Sequence, residues 1–268
     1  MLDVHPPHHP VHAWRDFFIH IATIVIGLLI AIGLEQTVEA IHHRHQAHQL
    51  EVDLRAETLR NLVIASKNID ALNIRLDGVA DQLAELQQAA HDRRPPRLTL
   101  QAISSPHPPL TVVWQMAQQS DTLNLLPRAE AMRYQSVYNT AGQASSCLTD
   151  ILNAVTRRNA TLIPARDNPL SLRGNDPPHG DTDLSLLDAQ DLRAYRDSLT
   201  ALREAAGYCR NRTLVLYGSE WGSWHGYSSD DEIGHITNQI AQMTKAELMA
   251  KFPLPEEAKT NVNPREDQ

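Results

Sequence analysis

FFIHIATIVIGLLIAIGL, residues Phe17–Leu34, contains no Asp, Glu, Lys or Arg, and its one polar ring is His20. At about 1.5 Å per residue, a helix of this length is roughly 27 Å long, close to the thickness of a bilayer core. The segment therefore predicts a transmembrane helix. A cleaved signal peptide is the alternative, because Val38-Glu39-Ala40 has a small-x-small pattern, but the apolar run is longer than a usual signal-peptide core.

The flanks of this segment suit a membrane interface. Trp14 and Arg15 precede it and Glu35 follows it, and aromatic rings and long cations are favoured at the headgroup level. Arg15 makes the short arm, residues 1–16, the slightly more positive side, and positive charge stays in the cytoplasm. We therefore expect residues 35–268 to lie outside the cytoplasm.

One face of the apolar segment carries small side chains. Thr23, Gly27 and Ala31 are four residues apart, so they share a helix face that another helix could approach closely. The alternative is that such residues are simply common in membrane helices. The pattern predicts contact with another membrane subunit or with a second copy.

Heptad patterns dominate the rest of the chain. From Glu35 to His91 there is no Pro and only one Gly, so the membrane helix is predicted to continue. Two further patterned helices follow Pro127 and Asp188, which suit helix starts. The rows of residues seven apart are Leu62, Ile69, Leu76 and Leu83 with Ala65, Leu72, Val79 and Leu86; Tyr134, Ala141, Leu148 and Val155 with Val137, Ala144 and Ile151; and Leu192, Leu199, Ala206 and Thr213 with Tyr195, Leu202, Cys209 and Leu216.

These patterns predict an all-α fold, in which the transmembrane helix continues into a long helix packed in an antiparallel helical bundle. No segment shows convincing alternation with period two. The rows could also pair between subunits as a coiled coil, and the heptad pattern does not distinguish this arrangement from a bundle within one chain. The predicted organisation is a His/Pro-rich arm (1–16), a transmembrane helix (17–34), a helical-bundle extramembrane domain (35–252) and a disordered tail (253–268).

Composition and motifs exclude several functions. The net charge of −8 in 268 residues argues against nucleic-acid binding, which needs a basic face. The chain has no phosphate-binding loop, no G-x-S-x-G, no H-E-x-x-H and no C-x-x-C. We expect no catalytic residues and no cofactor.

Histidines are numerous, and nine of the 14 lie within the first 48 residues. His42, His45 and His48 are three apart on the helix that leaves the membrane, and imidazoles on one face could hold Zn or Cu. The favoured alternative is contact with anionic headgroups. A metal-handling membrane protein is thus the third hypothesis for function.

Residues 214–227, LVLYGSEWGSWHGY, combine glycine spacing with aromatic rings. The residues predicted as a partner or ligand contact are Tyr217, Gly218, Trp221, Gly222, Trp224 and Gly226. The favoured alternative is a local core at the end of the bundle.

The chain has two cysteines, Cys147 and Cys209. They permit one disulfide, which a compartment outside the cytoplasm allows. Two reduced thiols in the core are an equal alternative.

The entry into the membrane segment, His12-Ala-Trp14-Arg15-Asp16-Phe17, and its core, Ile26-Gly-Leu-Leu-Ile-Ala31, resemble those of an uncharacterised family of bacterial single-pass membrane proteins. Val113-Trp114, Leu125-Leu126-Pro127 and Tyr134 also resemble a block in the soluble parts of that family. The resemblance implies a bacterial envelope protein with a helical extramembrane region, and it implies no activity.

Two functions follow as expectations. The first is a non-enzymatic interaction protein, an accessory or scaffold subunit of a membrane complex in the bacterial inner membrane with its main domain in the periplasm. Its partners would be the lipid bilayer and other membrane-protein subunits or a second copy. The alternative is a membrane-anchored bundle that senses a small ligand bound between its helices.

Overall fold

The structure is a computed structural model that falls into two compact units, Met1–Gln49 and Leu50–Gln268. The residues that it describes are 13–100, 105–162, 180–183, 188–227, 230–240 and 243–260.

Helix α1, Ala13–Asp92, contains the whole apolar segment and the first heptad rows without a break. The prediction that the apolar helix continues into a long one is therefore confirmed. In the first unit, the described residues, 13–49, all belong to α1. One helix long and apolar enough to cross a membrane is present among the described residues, and it is this one.

The second unit is mainly helical. After α1, its elements are β1 (Arg97–Leu100), α2 (Val112–Gln119), a 3₁₀ turn (Thr122–Leu125), α3 (Arg128–Thr161), β2 (Gly180–Asp183), α4 (Ala189–Trp224), α5 (Asp230–Ile240), α6 (Lys245–Lys251) and α7 (Glu256–Thr260).

Long-range contacts set the directions of the three long helices in this unit. Helix α4 runs antiparallel to α1, because Asn61 contacts Glu220 while Gln82, further along α1, contacts the earlier residue Tyr195. Helix α4 is also antiparallel to α3, as the Gln143–Arg212 contact and the Cys147–Cys209 disulfide show together. Helices α1 and α3 are parallel.

The predicted heptad rows form the core of the second unit. Leu62, Ile69 and Leu72 of α1 are buried, as are Ala141 of α3 and Leu202 of α4. Because these rows bury one another within one chain, an all-α bundle accounts for them without the coiled coil between subunits that the heptads also allowed.

Several predicted helix boundaries are confirmed. The Asp188 side chain caps α4 by accepting hydrogen bonds from the backbone N–H groups of Gln190 and Asp191. Pro127 stands at the N-cap of α3. Trp114 lies on the short helix α2.

Two parts of the second unit depart from the sequence prediction. Strands β1 and β2 pair antiparallel, with Arg97 opposite Asp183 and Leu100 opposite Gly180. The β1 sequence, RLTL, alternates polar and apolar residues over only four positions, and the β2 sequence, GDTD, does not alternate. The predicted disordered tail, 253–268, is wrong for its first part. Residues 256–260 form α7, because Ala258 is buried and Leu254 packs on the core; residues 261–268 lie outside the described part.

Candidate functional site

The apolar segment of α1 presents its side chains to the surroundings. No residue in its most apolar 18-residue window is buried, and Leu34 is 64% exposed. Trp14 stacks on Phe18, with 5.9 Å between ring centroids. A soluble monomer rarely leaves so much contiguous apolar surface uncovered. This surface is the first candidate site, and the membrane-interface roles of Trp14, Arg15 and Glu35 stay predictions.

The small-residue face of this segment is open. A Cβ added at Gly27 would meet no atom within 4 Å. The Thr23 hydroxyl donates to the backbone carbonyl of Ile19 at 2.8 Å, so its polar group is already satisfied within the helix. Together with Ala31, these residues leave a shallow apolar face that can accept a neighbouring helix.

The three histidines proposed as metal ligands do not form a site. Among the described residues, no group of three or more His, Cys, Asp or Glu side chains is placed to hold a metal ion. At about 100° per residue, His42, His45 and His48 fan around α1 instead of converging. His42 instead contacts Gln46, with 3.0 Å between the two nitrogens.

The aromatic stretch of α4 packs mainly inside the second unit, which corrects the predicted partner contact. Tyr217 is fully buried and donates to the Phe252 carbonyl, and Trp221 donates to the Pro253 carbonyl. Gly218 and Gly222 are buried in α4. The chain segment that follows α6 covers this stretch, so the alternative of a local core describes it better. Trp224 is half-buried, and Gly226 lies beyond the end of α4 with a φ of +81°.

An extended segment lies along α1 and is bound through its backbone. This segment, residues 105–111, is called the strap. The side-chain amide of Asn68 bonds both backbone groups of His107, and Asn61 does the same for Leu110. The strap runs back along α1, which explains why α3 begins beside the early turns of the bundle part of α1.

Two buried carboxyl groups lie where the strap meets α4. Both oxygens of Glu57 accept hydrogen bonds, from the Tyr138 hydroxyl at 2.6 Å and from the Val113 backbone N–H at 3.0 Å. Glu220 Oε1 accepts from Asn61 at 3.0 Å. We call Glu57, Thr58, Asn61, Tyr138 and Glu220 the carboxyl cluster.

The two oxygens of the Glu220 carboxyl group differ in their hydrogen bonding. Its Oε2 atom is buried without a hydrogen-bond partner among the described residues, and so is Thr58 Oγ1. Burial, together with the smaller effect of the negative charge of Glu57, raises the pKa of Glu220 to about 8, against the opposing effects of the Asn61 bond and the nearby Thr58 hydroxyl. Burial and the bond to Glu57 also raise the pKa of Tyr138 above its ordinary value.

A second polar cluster occupies the far end of the bundle. Tyr195 donates to Gln82 at 2.7 Å, and burial raises the pKa of Tyr195 to about 12. Arg75 and Arg158 lie close enough for the charge of Arg158 to lower the pKa of Arg75, after the larger effect of burial.

The two cysteines are joined. Cys147 of α3 and Cys209 of α4 form a disulfide across 62 positions of the chain, within the core that contains Leu202. The structure thus has the one disulfide that the sequence permits, in place of two buried thiols.

A groove of about 370 Å³ lies between α2 and α3. Its neutral polar lining includes Gln115, Gln118, Ser145 and Thr149, and among the residues that the structure describes no charged side chain lines it. Tyr138 also borders it, and its hydroxyl reaches into the carboxyl cluster. Sequence patterns did not reveal this groove or the cluster, because each is formed by residues of separate helices that only the tertiary fold brings together.

No protein-family model, curated protein or solved structure matches this chain significantly.

Proposed function

We propose that this chain is a membrane-anchored interaction protein without catalytic activity of its own, which serves as an accessory or scaffold subunit of a larger bacterial membrane complex. The observation that carries the proposal is the uncovered apolar segment of α1. An anchor of this kind fixes the helical second unit at a membrane surface. The open face around Gly27 supplies the place where a second transmembrane helix packs.

The Cys147–Cys209 disulfide supports a main domain outside the cytoplasm, because disulfides persist in oxidising compartments. We therefore place residues 35–268 in the periplasm and the short arm in the cytoplasm of a bacterial inner-membrane protein. Fusion of alkaline phosphatase after Gln268 tests this orientation. The enzyme becomes active if the fusion point is periplasmic, whereas an inactive fusion of normal abundance would reverse the orientation.

Purification in a mild detergent followed by native mass spectrometry tests the interaction role. We expect a defined complex, either with another membrane subunit or with a second copy. The matched variant replaces Gly27 and Ala31 with Leu, which keeps the segment apolar but fills the open face, and it should dissociate that complex. A lone monomer in both preparations would count against the proposal.

The groove between α2 and α3 favours a second candidate function, the binding of a small ligand. Its volume is within the range of small-molecule sites, and its lining combines neutral hydrogen-bonding side chains with the apolar surfaces of Pro109 and Trp114. A bulky residue at Ser145 would fill it. A neutral ligand that raises the melting temperature of the native chain but not of Ser145→Trp would support this function, and a screen in which both respond alike would not.

A further inference from the structure

We propose that Glu220 is protonated in the folded protein and that loss of this proton releases residues 110–113 from α1. Glu220 and Thr58 are 0% and 1% exposed. Their two oxygen atoms, Glu220 Oε2 and Thr58 Oγ1, are both without a partner among the described residues. A proton on Oε2 removes the negative charge that this unpaired, buried oxygen would otherwise share.

The neighbouring carboxyl group indicates which of the two holds the proton. Both oxygens of Glu57 accept hydrogen bonds, as expected for an ionised carboxylate, whereas only one oxygen of Glu220 does. Two buried carboxylates of like charge disfavour each other's ionisation. Glu220 is therefore the group that stays neutral.

The surroundings of Glu220 contain no compensating cation in the described part of the chain. The titratable groups that face it are Glu57 from α1 and Tyr138 from α3. Arg55 of α1 contacts the neighbouring Trp224 instead, with its guanidinium carbon 4.4 Å from the ring centroid. The strap contributes the backbone of Leu110 through Asn61.

The same side chains that surround Glu220 also hold the chain between the strap and α2. Asn61 binds both backbone groups of Leu110, and Glu57 accepts from the backbone N–H of Val113. Ionisation of Glu220 places a second negative charge beside Glu57 and draws water into the cluster. The hydrogen bonds that Asn61 and Glu57 make to this segment are then weakened. The Asn68–His107 hydrogen bond lies two turns further along α1 and should persist.

Hydrogen exchange of the full chain in detergent, resolved to single amides by fragmentation mass spectrometry, tests the proposal. If opening releases one proton, protection of the Leu110 and Val113 amides, corrected for intrinsic exchange, falls about tenfold per pH unit between about pH 6 and pH 8. His107 is the internal control and should keep its protection. Glu220→Gln should abolish the pH dependence, and Glu204→Gln, on the exposed side of the same helix, should retain it.

Infrared spectroscopy provides a second test, because it detects the protonated carboxyl group directly and does not depend on local opening. The native protein should show a protonated-carboxyl band at about pH 6 that titrates near the pKa of about 8. The band should be missing from Glu220→Gln and present in Glu204→Gln. Absence of the band in the native protein, or equal pH dependence at His107, Leu110 and Val113, would overturn the proposal.

Discussion

Asn61 on α1 donates a hydrogen bond of 3.0 Å to Glu220 on α4, 159 positions later in the chain. The same side chain binds the N–H and the C=O of Leu110. One amide thus joins the first and last long helices of the bundle to the strap between them, and it is fully buried.

Replacement of Asn61 by Ala should therefore destabilise the protein strongly. It leaves a buried oxygen of Glu220 and both backbone groups of Leu110 without this partner, at about 1–3 kcal/mol for each group that stays buried. Asn68→Ala is the matched control, because it removes the equivalent bonds to His107 but leaves Glu220 paired. Urea unfolding of the two variants, followed by circular dichroism, checks this. Equal losses would show that the link to Glu220 contributes nothing.

The free energy of unfolding should depend on pH through Glu220. Burial raises its pKa to about 8 in the folded protein, from about 4.3 in the unfolded chain. Between these values the folded protein keeps a proton that the unfolded chain has released. Its contribution to stability is therefore complete below the lower value, falls by about 1.4 kcal/mol per pH unit, and is lost above the upper value.

Thermal melts of the native protein and of Glu220→Gln across this pH range provide the measurement. The stability of the Glu220→Gln variant should not show this decrease with pH, so the variant should be the more stable of the two proteins at alkaline pH. Glu204→Gln should follow the native protein. If the melting temperatures of the native protein and of Glu220→Gln changed equally with pH, the raised pKa of Glu220 would be contradicted.

Reduction of the Cys147–Cys209 disulfide should lower the stability. The bond closes a loop of 62 positions, for which the chain-entropy model gives about 4 kcal/mol. The double variant Cys147→Ala, Cys209→Ala should behave like the reduced protein and should no longer respond to reductant. An unchanged denaturation midpoint on reduction would show that the thiols are unpaired in the protein as isolated.

The apolar segment should lose its hold on the membrane when it is charged. An Arg near the centre of a transmembrane helix costs about 2.5–3.5 kcal/mol, so Ile26→Arg together with Ile30→Arg should move the protein into the carbonate-soluble fraction. Val38→Arg, an equally exposed apolar residue beyond the predicted span, is the control and should stay in the membrane pellet. If the double variant stayed in the membrane pellet, the membrane anchor would lie outside the apolar segment of α1.

Much of the helical architecture could be predicted because it follows from local patterns. The row that includes Leu62 and Ile69 is buried as its seven-residue spacing implies, and Asp188 caps α4 as its side chain allows. Such signals depend only on residues a few positions apart, so a single sequence contains them.

The carboxyl cluster and the strap could not be predicted in this way. Glu57 and Asn61 are polar residues outside the heptad rows of α1, and Glu220 is an acidic residue at the next position of the row that contains Leu199, Ala206 and Thr213, yet all three are buried. Their burial depends on partners such as Leu110 and Tyr138, which only the tertiary fold brings near. The same reason explains α7, whose Ala258 is buried in a segment whose composition suggests disorder.

Native mass spectrometry of the full chain, extracted in mild detergent, tests whether the open face around Gly27 binds a second subunit. The native protein should be released as a defined complex with a membrane subunit or a second copy. The variant with Leu at positions 27 and 31 should be released alone, while both proteins stay in the membrane fraction before extraction. A native protein that is monomeric and indistinguishable from that variant would show that this face binds no subunit.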